Sequence, residues 1–419
     1  MKSRVKSIIG FLMSVYLCIS LSPQVFADGE NKVVIPTGVT LIGSEAFSGC
    51  SSMTTVIIPA FVECIDRNAF SECTSLTNVY FKGTREAWNH VTIKSGNEML
   101  TKARVHCTDD IIRIGLVTDI GGIKDKGFNQ TSWEGLQTLA AEDPSFEVNY
   151  LESKTDADYQ TNINTFIDED YDLIITVGYM LADATREAAE DNPDQLFAIV
   201  DDPTNADLPN VACLMFAQEQ CSYLVGLIAG SVTQSKTVGY VQGMVSDSMN
   251  LFGVGYISGV LEACPDATVL QYNANNFGDI AGGNTAAKDM ITKGADVIYH
   301  AAGGTGIGVL NACEEAGIWG IGVDGDQAAS LGLDKVLCSA RKSVDVAAQD
   351  MSKAVKDGKF TPGVHTYDLT NGGVGIYTTG DHIPADVLEK VNAAAKDIAD
   401  GTKTVPTSPA DCPAFTLNG

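Results

Sequence analysis

Carboxylates recur at the C-terminal ends of apolar runs in this chain. Asp119 follows Val117-Thr118, Asp201 and Asp202 follow Ile199-Val200, and Asp324 and Asp326 follow Gly322-Val323. A carboxylate at a strand end can accept hydrogen bonds from the hydroxyl or N–H groups of a bound molecule, and such charge-assisted bonds are strong. Phe128, Phe252 and Phe277 lie in the same stretch of chain and offer flat apolar faces. Acceptors beside rings suit a ligand with both a ring and hydroxyls. Taken singly, a strand-end Asp is as readily a helix N-cap or turn former, and a Phe more often a core residue. Their combination points to a pocket.

Familiar catalytic loops do not fit. Gly122-Ile-Lys-Asp-Lys-Gly127 has the spacing of a phosphate loop, but Phe128-Asn129 stands where Lys-Ser/Thr belongs. Gly304-Thr-Gly306-Ile-Gly308 is glycine-rich without being GxGxxG, and no GxSxG elbow occurs. The five histidines are scattered, which argues against a histidine-built metal site. Asp201-Asp202 and Asp324 with Asp326 could hold calcium, but no general acid accompanies them. The sequence therefore predicts no cofactor, no metal and no enzyme. A formal charge of −26 disfavours a nucleic-acid polymer as partner.

The elements that must position these residues are legible from Ile111 onward. Strand-like runs at 112–118, 173–177, 196–200, 237–241, 297–299 and 318–323 alternate with helical patterns at 130–141, 219–233, 251–264, 282–293 and 343–357. Such alternation predicts parallel sheets covered on both faces. About 310 residues exceed one doubly wound unit, so two α/β lobes are expected, with ligand bound at strand carboxyl ends facing the crevice between them.

The rest of the 419-residue chain reads differently. Lys2, Arg4 and Lys6 precede an apolar stretch from Ile8 to about Leu21, and Val25-Phe26-Ala27 gives a cleavage site, so residues 1–27 read as a signal peptide of an exported protein. Leu17 precedes Cys18 where a lipidation motif needs a small residue, which makes lipidation at Cys18 doubtful. Ten cysteines would remain, with irregular spacing and no CxxC, and no bridge is assigned. Residues 35–56 and 58–79 then align with a period of 23: Ile35-Pro36, Val39, Ile42, Ala46-Phe47, Cys50, Met53 and Val56 match Ile58-Pro59, Val62, Ile65, Ala69-Phe70, Cys73, Leu76 and Val79. That period signals a solenoid, with Cys50 and Cys73 as internal ladder positions. Two coils are few for independent stability. Asn31 to Val34 and the 79–107 segment are candidates for further coils, with Phe81, Trp88 and His106-Cys107 in a closing segment.

The repeat resembles the BspA-like leucine-rich repeats of bacterial surface proteins. Residues 111–419 resemble the basic membrane protein family of ABC-transporter substrate-binding proteins, which includes purine-nucleoside receptors. The residues that carry this second resemblance are Asp119-Ile-Gly-Gly-Ile-Lys-Asp125-Lys-Gly-Phe128-Asn129-Gln130, Cys221-Ser-Tyr223-Leu-Val-Gly226 and Phe252 with Gly255-Tyr256-Ile-Ser-Gly259. With them come Gly294-Ala-Asp296-Val-Ile, Ala301-Ala-Gly-Gly304-Thr-Gly306, Gly322-Val-Asp324-Gly-Asp326-Gln327 and Ser339-Ala-Arg-Lys342. The resemblance implies a type I periplasmic-binding-protein fold, two doubly wound parallel-sheet lobes with a hinge of three crossover segments, preceded by the short repeat module. The chain is thus expected to divide into a signal peptide at 1–27, a repeat module at 31–107, and a two-lobed domain at 111–419. Lobe 1 would span about 111–233 plus 337–360, and lobe 2 about 236–330 plus the C-terminal part.

It also implies roles. Phe128 and Phe277, with Tyr272 as the alternative to Phe277, would clamp a base. Asp324 would hold ribose hydroxyls with Lys342 close by, and Asp119 and Asp201 would line the cleft. Gly304 and Gly306 would let the backbone approach the ligand. Asn129 would cap the helix that begins there and reach the base, and Phe252 would form a wall. The implied function is capture of a small ligand, a purine nucleoside, at the cell envelope and its delivery to an ABC-transporter permease. The departures are the poor lipidation motif and the repeat module, which suggests surface association through a surface or host partner. Other readings stay open: a surface adhesin that has lost its ligand, a receptor for another solute such as a sugar, and an extracellular nucleoside hydrolase.

Overall fold

The computed structural model describes residues 31–417. The expected signal peptide and Cys18 lie outside the described residues. The chain divides into two compact units. One takes the chain up to Ile111 together with Ala354–Lys359; the other takes Ile112–Lys353 and Phe360 onward.

The first unit is a parallel solenoid. Its strands are β1 (Lys32–Val34), β2 (Leu41–Ile42), β3 (Thr55–Ile58), β4 (Cys64–Ile65), β5 (Asn78–Phe81), β6 (Thr92–Ile93) and β7 (Arg104–His106). They form two parallel sheets, β1-β3-β5-β7 and β2-β4-β6. Lys32 pairs with Thr55 and Thr55 with Asn78, so the sequence period of 23 is the register of the ladder. Asn78 pairs with Arg104, a longer step that accommodates two short helices, Arg85–Asn89 and Glu98–Lys102. The flanking segments thus supply the missing coils. The apolar repeat positions stack into one core, in which Cys73 is fully buried and Cys50 packs against the edge. All ten described cysteines are free thiols.

The second unit holds two six-stranded sheets. Lobe 1 contains β8 (Ile112–Val117), β9 (Phe146–Leu151), β10 (Leu173–Val177), β11 (Leu196–Val200), β12 (Val211–Phe216) and a later strand, β18 (Gly363–Tyr367). Lobe 2 contains β13 (Thr237–Gln242), β14 (Thr268–Asn273), β15 (Val297–Ala301), β16 (Trp319–Asp324), β17 (Val336–Lys342) and β19 (Val374–Tyr377). The orders are β9-β8-β10-β11-β12-β18 and β14-β13-β15-β16-β17-β19, so the two lobes repeat one doubly wound topology. Every pairing is parallel except that of β17 with β19, which is antiparallel and forms an edge. The central strands are largely buried on both faces, β10 and β11 through nearly continuous apolar runs.

Three segments cross between the lobes: after β12, after β17, and between β18 and β19. Backbone bonds tie them side by side, Ala217 N to Tyr367 O at 2.9 Å and Ser343 N to Gly373 O at 2.9 Å. The lobe limits differ from the expected ones. Helix Gln218–Val232 belongs to lobe 2, where it packs on helix Asp247–Ala263 with no room for side chains at the crossing. A Cβ on Gly226 would lie 2.2 Å from Tyr256 O, and one on Gly259 would lie 2.1 Å from Tyr223 O. Strand β17 also belongs to lobe 2, and lobe 1 resumes only at helix Val344–Lys356, whose Gln349 donates to Gly135 O at 3.0 Å. Lobe 1 then extends past residue 360 to include β18. No helix among the described residues is long and apolar enough to cross a membrane.

Candidate functional site

The strand carboxyl ends of the two lobes' sheets face one cleft, lined from both lobes. Lobe 1 contributes Asp119 beyond β8, Gly178 and Tyr179 beyond β10, and Asp201 beyond β11. Lobe 2 contributes Ala301 at the end of β15, Asp324 at the end of β16 and Lys342 at the end of β17. Asp119 therefore sits where lobe 1 reverses its strand order, the usual ligand position in such sheets.

Each expected ring reaches the cleft. Phe128 begins helix Phe128–Glu142 in lobe 1, and Phe277 comes from the loop after β14 in lobe 2. Phe252 lines it from helix Asp247–Ala263. Tyr272 is not part of the lining; it lies on edge strand β14 and is exposed.

Lys342 is fully buried and forms an ion pair with Asp201. Its ammonium also lies 4.6 Å from the Phe128 ring centre, 5.0 Å from Phe216 and 5.6 Å from Phe252. The rings and the carboxylate together replace the water that a buried ammonium would otherwise need. Asp201 uses only one oxygen in that pair. Its Oδ1 is buried and has no hydrogen-bond partner among the described residues. A buried acceptor without a donor calls for a partner, which in a cleft is a water or a bound molecule.

Asp119, Asp125 and Asn129 form a closed network. The Asn129 amide donates to Asp119 Oδ1 at 2.8 Å and to Asp125 Oδ2 at 3.1 Å. Its Oδ1 accepts from Asp119 N at 3.3 Å. Both amide hydrogens are thus committed to the carboxylates, and Asn129 lines the cleft beside them. It does not cap the helix: Asp125 accepts the N–H groups of Gly127, Asn129 and Gln130 at 2.8–3.1 Å. Asp125 is the residue that sequence reasoning missed, although it stands inside the quoted motif. Its position four residues before Asn129, at a helix start, was the available signal.

Burial pushes the Asp324 carboxyl up to about 7; Lys342 opposes the shift, and Asp125, Asp201 and Asp119 add repulsion. Burial likewise raises Asp119 to about 6, against the bonds from Asn129 and Gly121, and it raises Asp125. Backbone strain falls at matching places. Asp201 (φ 67°) and Asp324 (φ 65°) both lie in the left-handed region, one in each lobe. Non-glycine residues rarely adopt that conformation, and it clusters at ligand sites.

Gly304 and Gly306 do not line the cleft. A Cβ on Gly306 would lie 1.9 Å from the His300 ring, and one on Gly304 would lie 3.1 Å from Phe277 O. Their smallness serves packing inside lobe 2. Gly303, with φ 51°, is the glycine that faces the cleft. Gly121, Gly178, Tyr179 and Met249 also line it without having been expected.

Residues 112–408 match the family model described as ABC transporter substrate-binding protein PnrA-like. Residues 20–132 match the BspA type leucine rich repeat region. A CD4+ T-cell-stimulating antigen of Listeria monocytogenes is 39% identical over 316 residues, covering 71% of this chain and 88% of that one. The ABC transporter nucleoside-binding protein BmpA of Lactococcus lactis is 37% identical over 317 residues, covering 71% and 89%. Among solved structures, an ABC transporter system solute-binding protein from Aeropyrum pernix aligns with a TM-score of 0.65 at 25% identity, covering 72% and 96%.

Proposed function

The chain belongs to the PnrA-like family of ABC-transporter substrate-binding proteins, and from that premise we propose that its cleft captures a purine nucleoside for delivery to the transporter. The family consists of extracytoplasmic binding proteins rather than enzymes. The observation that carries the nucleoside reading is the unpaired Asp201 Oδ1 in a cleft that also holds Asp324 and rings from opposite lobes. Phe128 and Phe277 supply stacking faces, worth about 1–3 kcal/mol per base. Asp201 and Asp324 supply acceptors for ribose hydroxyls. The printed name of the Lactococcus lactis relative agrees with this reading.

The charge of the lining narrows the ligand further. It carries four carboxylates, Asp119, Asp125, Asp201 and Asp324, against one ammonium, Lys342, which Asp201 already engages. A phosphate would meet acceptors and no free cation, so nucleosides should bind better than their monophosphates. Calorimetric titration after unfolding and refolding, to strip bound ligand, tests this. The panel is adenosine, guanosine, inosine, cytidine, ribose and AMP. Submicromolar binding of a purine nucleoside, abolished by Phe128→Ala or Asp324→Ala, is the expected result. No heat with any of them, or tight AMP binding without nucleoside binding, overturns the proposal.

A further inference from the structure

Gln327 is the first residue of the short helix Gln327–Leu331 that follows β16, and it is fully buried. Its side-chain amide is bonded on both sides. Oε1 accepts from Val323 N at 2.9 Å and lies 2.9 Å from His300 Nε2. Nε2 donates to Lys126 O at 3.1 Å. A backbone N–H can only donate and a carbonyl can only accept, so these two partners fix which end of the amide is oxygen. His300 must then carry its proton on Nε2. Burial holds that ring neutral, with its pKa lowered to about 4.

Val323 and His300 belong to lobe 2, whereas Lys126 belongs to lobe 1. One side chain is therefore anchored in lobe 2 through its oxygen and reaches across the cleft through its nitrogen. Lobe 2 is shaped to leave it room. A Cβ on Gly322 would lie 2.6 Å from Gln327 Oε1, and the His300 ring occupies the space that a Cβ on Gly306 would need. Lys126, at φ 56°, lies two residues before Phe128. The N–H groups that follow it are held by Asp125. The cross-lobe bond thus fixes the loop that presents Phe128 to the cleft.

We infer that Gln327 is a positioning residue that latches the lobes at the Phe128 loop, alongside the Lys342–Asp201 pair that also spans them, its amide N–H engaging Lys126 O only when the cleft is shut. The inference rests on the binding-protein reading, and on the nucleoside only as the probe. When the lobes part, the Lys126 carbonyl and the Gln327 N–H return to water, while the bonds of Oε1 inside lobe 2 persist. Loss of the donor should therefore speed release and leave the encounter step unchanged.

Gln327→Met has nearly the same length and no donor, and Gln327→Glu retains the acceptor toward Val323 and His300 should the Met variant fold poorly. Stopped-flow measurement at pH 8 is expected to show nucleoside dissociation about three- to tenfold faster, the scale of one hydrogen bond, with association within about twofold of wild type. Equal dissociation rates, or a loss confined to association, overturn the latch. Spin labels on the two lobes report closure of the ligand-free protein independently: a lowered closed fraction in the variants is expected, and an unchanged distance distribution overturns the latch. A wild-type protein that binds no nucleoside overturns the ligand assignment instead, and the spin-label comparison then decides the latch alone.

Discussion

If ribose hydroxyls donate to Asp324, binding must select its ionised form, and the affinity must depend on pH in a definite direction. The ligand-free carboxyl is raised from 3.8 to about 7, chiefly by burial. A group with a raised folded-state value holds its proton up to that value, so the ligand-ready form is scarce below it. With a value near 7, about one tenth of the molecules are ionised at pH 6 and about nine tenths at pH 8. If only that form binds, nucleoside affinity falls roughly tenfold from pH 8 to pH 6. It falls more steeply below pH 6, where Asp119, raised to about 6, also takes up its proton. Proton linkage supplies a second readout. Calorimetry near pH 7 in two buffers of different ionisation enthalpy should show release of about half a proton per nucleoside bound. The free protein has the opposite trend in stability. Between about 4 and 7 the folded state holds a proton that the unfolded chain has lost, so stability falls as pH rises through that window. Asp324→Asn should weaken binding and move the remaining pH dependence down to the range of Asp119. Affinity that is flat or rising from pH 8 to pH 6, with no proton released, would refute the reasoning.

Two further outcomes follow from the frame around the site. Lys342→Met leaves Asp201 buried without its cation, which should destabilise the folded domain by about 3–5 kcal/mol in urea unfolding; adding Asp201→Asn should recover part of that loss, and equal stability of the single and double variants would contradict a tight ion pair. Gly259→Ala forces a methyl to within 2.1 Å of Tyr223 O, a backbone atom that cannot step aside, so a loss of about 1–3 kcal/mol or more is expected, and a neutral thermal shift would show that the helix crossing is looser than it stands.

The doubly wound core was readable because its buried parallel strands are rich in apolar and β-branched residues. Leu173–Val177 and Leu196–Val200 announce themselves without any periodicity. Strand β14, Thr268–Asn273, is an edge strand with no fully buried position, and its mixed residues blurred the signal. The lobe limits were misplaced because the hinge is written in pairing and not in composition. Helix Gln218–Val232 looks the same in sequence whichever lobe it joins; its glycines, read as family motif, are what place it on Asp247–Ala263. Among site residues, the strand-end aspartates and the rings could be read because type and position both carry meaning. Gly304 and Gly306 misled for the reverse reason. A glycine reports only that something comes close, and here the close neighbours are Phe277 O and the His300 ring. Asp125 and Gln327 were quoted within motifs but overlooked, since neither stands at a strand end and each acts partly through backbone groups, Asp125 on the helix start that follows it and Gln327 on Lys126 O.

These features have a common consequence. The cleft gathers carboxyls raised by burial, an acceptor left unpaired, and Asp201, Asp324 and Lys126 held in the left-handed region. Each is unfavourable in the free protein, and each lies at or near the cleft. The Gln327 amide joins the lobes at the Phe128 loop, and the buried Lys342–Asp201 pair also crosses between them. The amide bond by itself contributes about 1 kcal/mol, enough to bias closure. A molecule that donates to Asp201 and Asp324 while its ring lies between Phe128 and Phe277 would relieve the first two of these costs at once. Shutting the lobes on it keeps those bonds out of water, where they are strongest. On the proposed reading, closure is decided by the ligand's donors, the property a transporter needs if it is to distinguish a loaded receptor from an empty one.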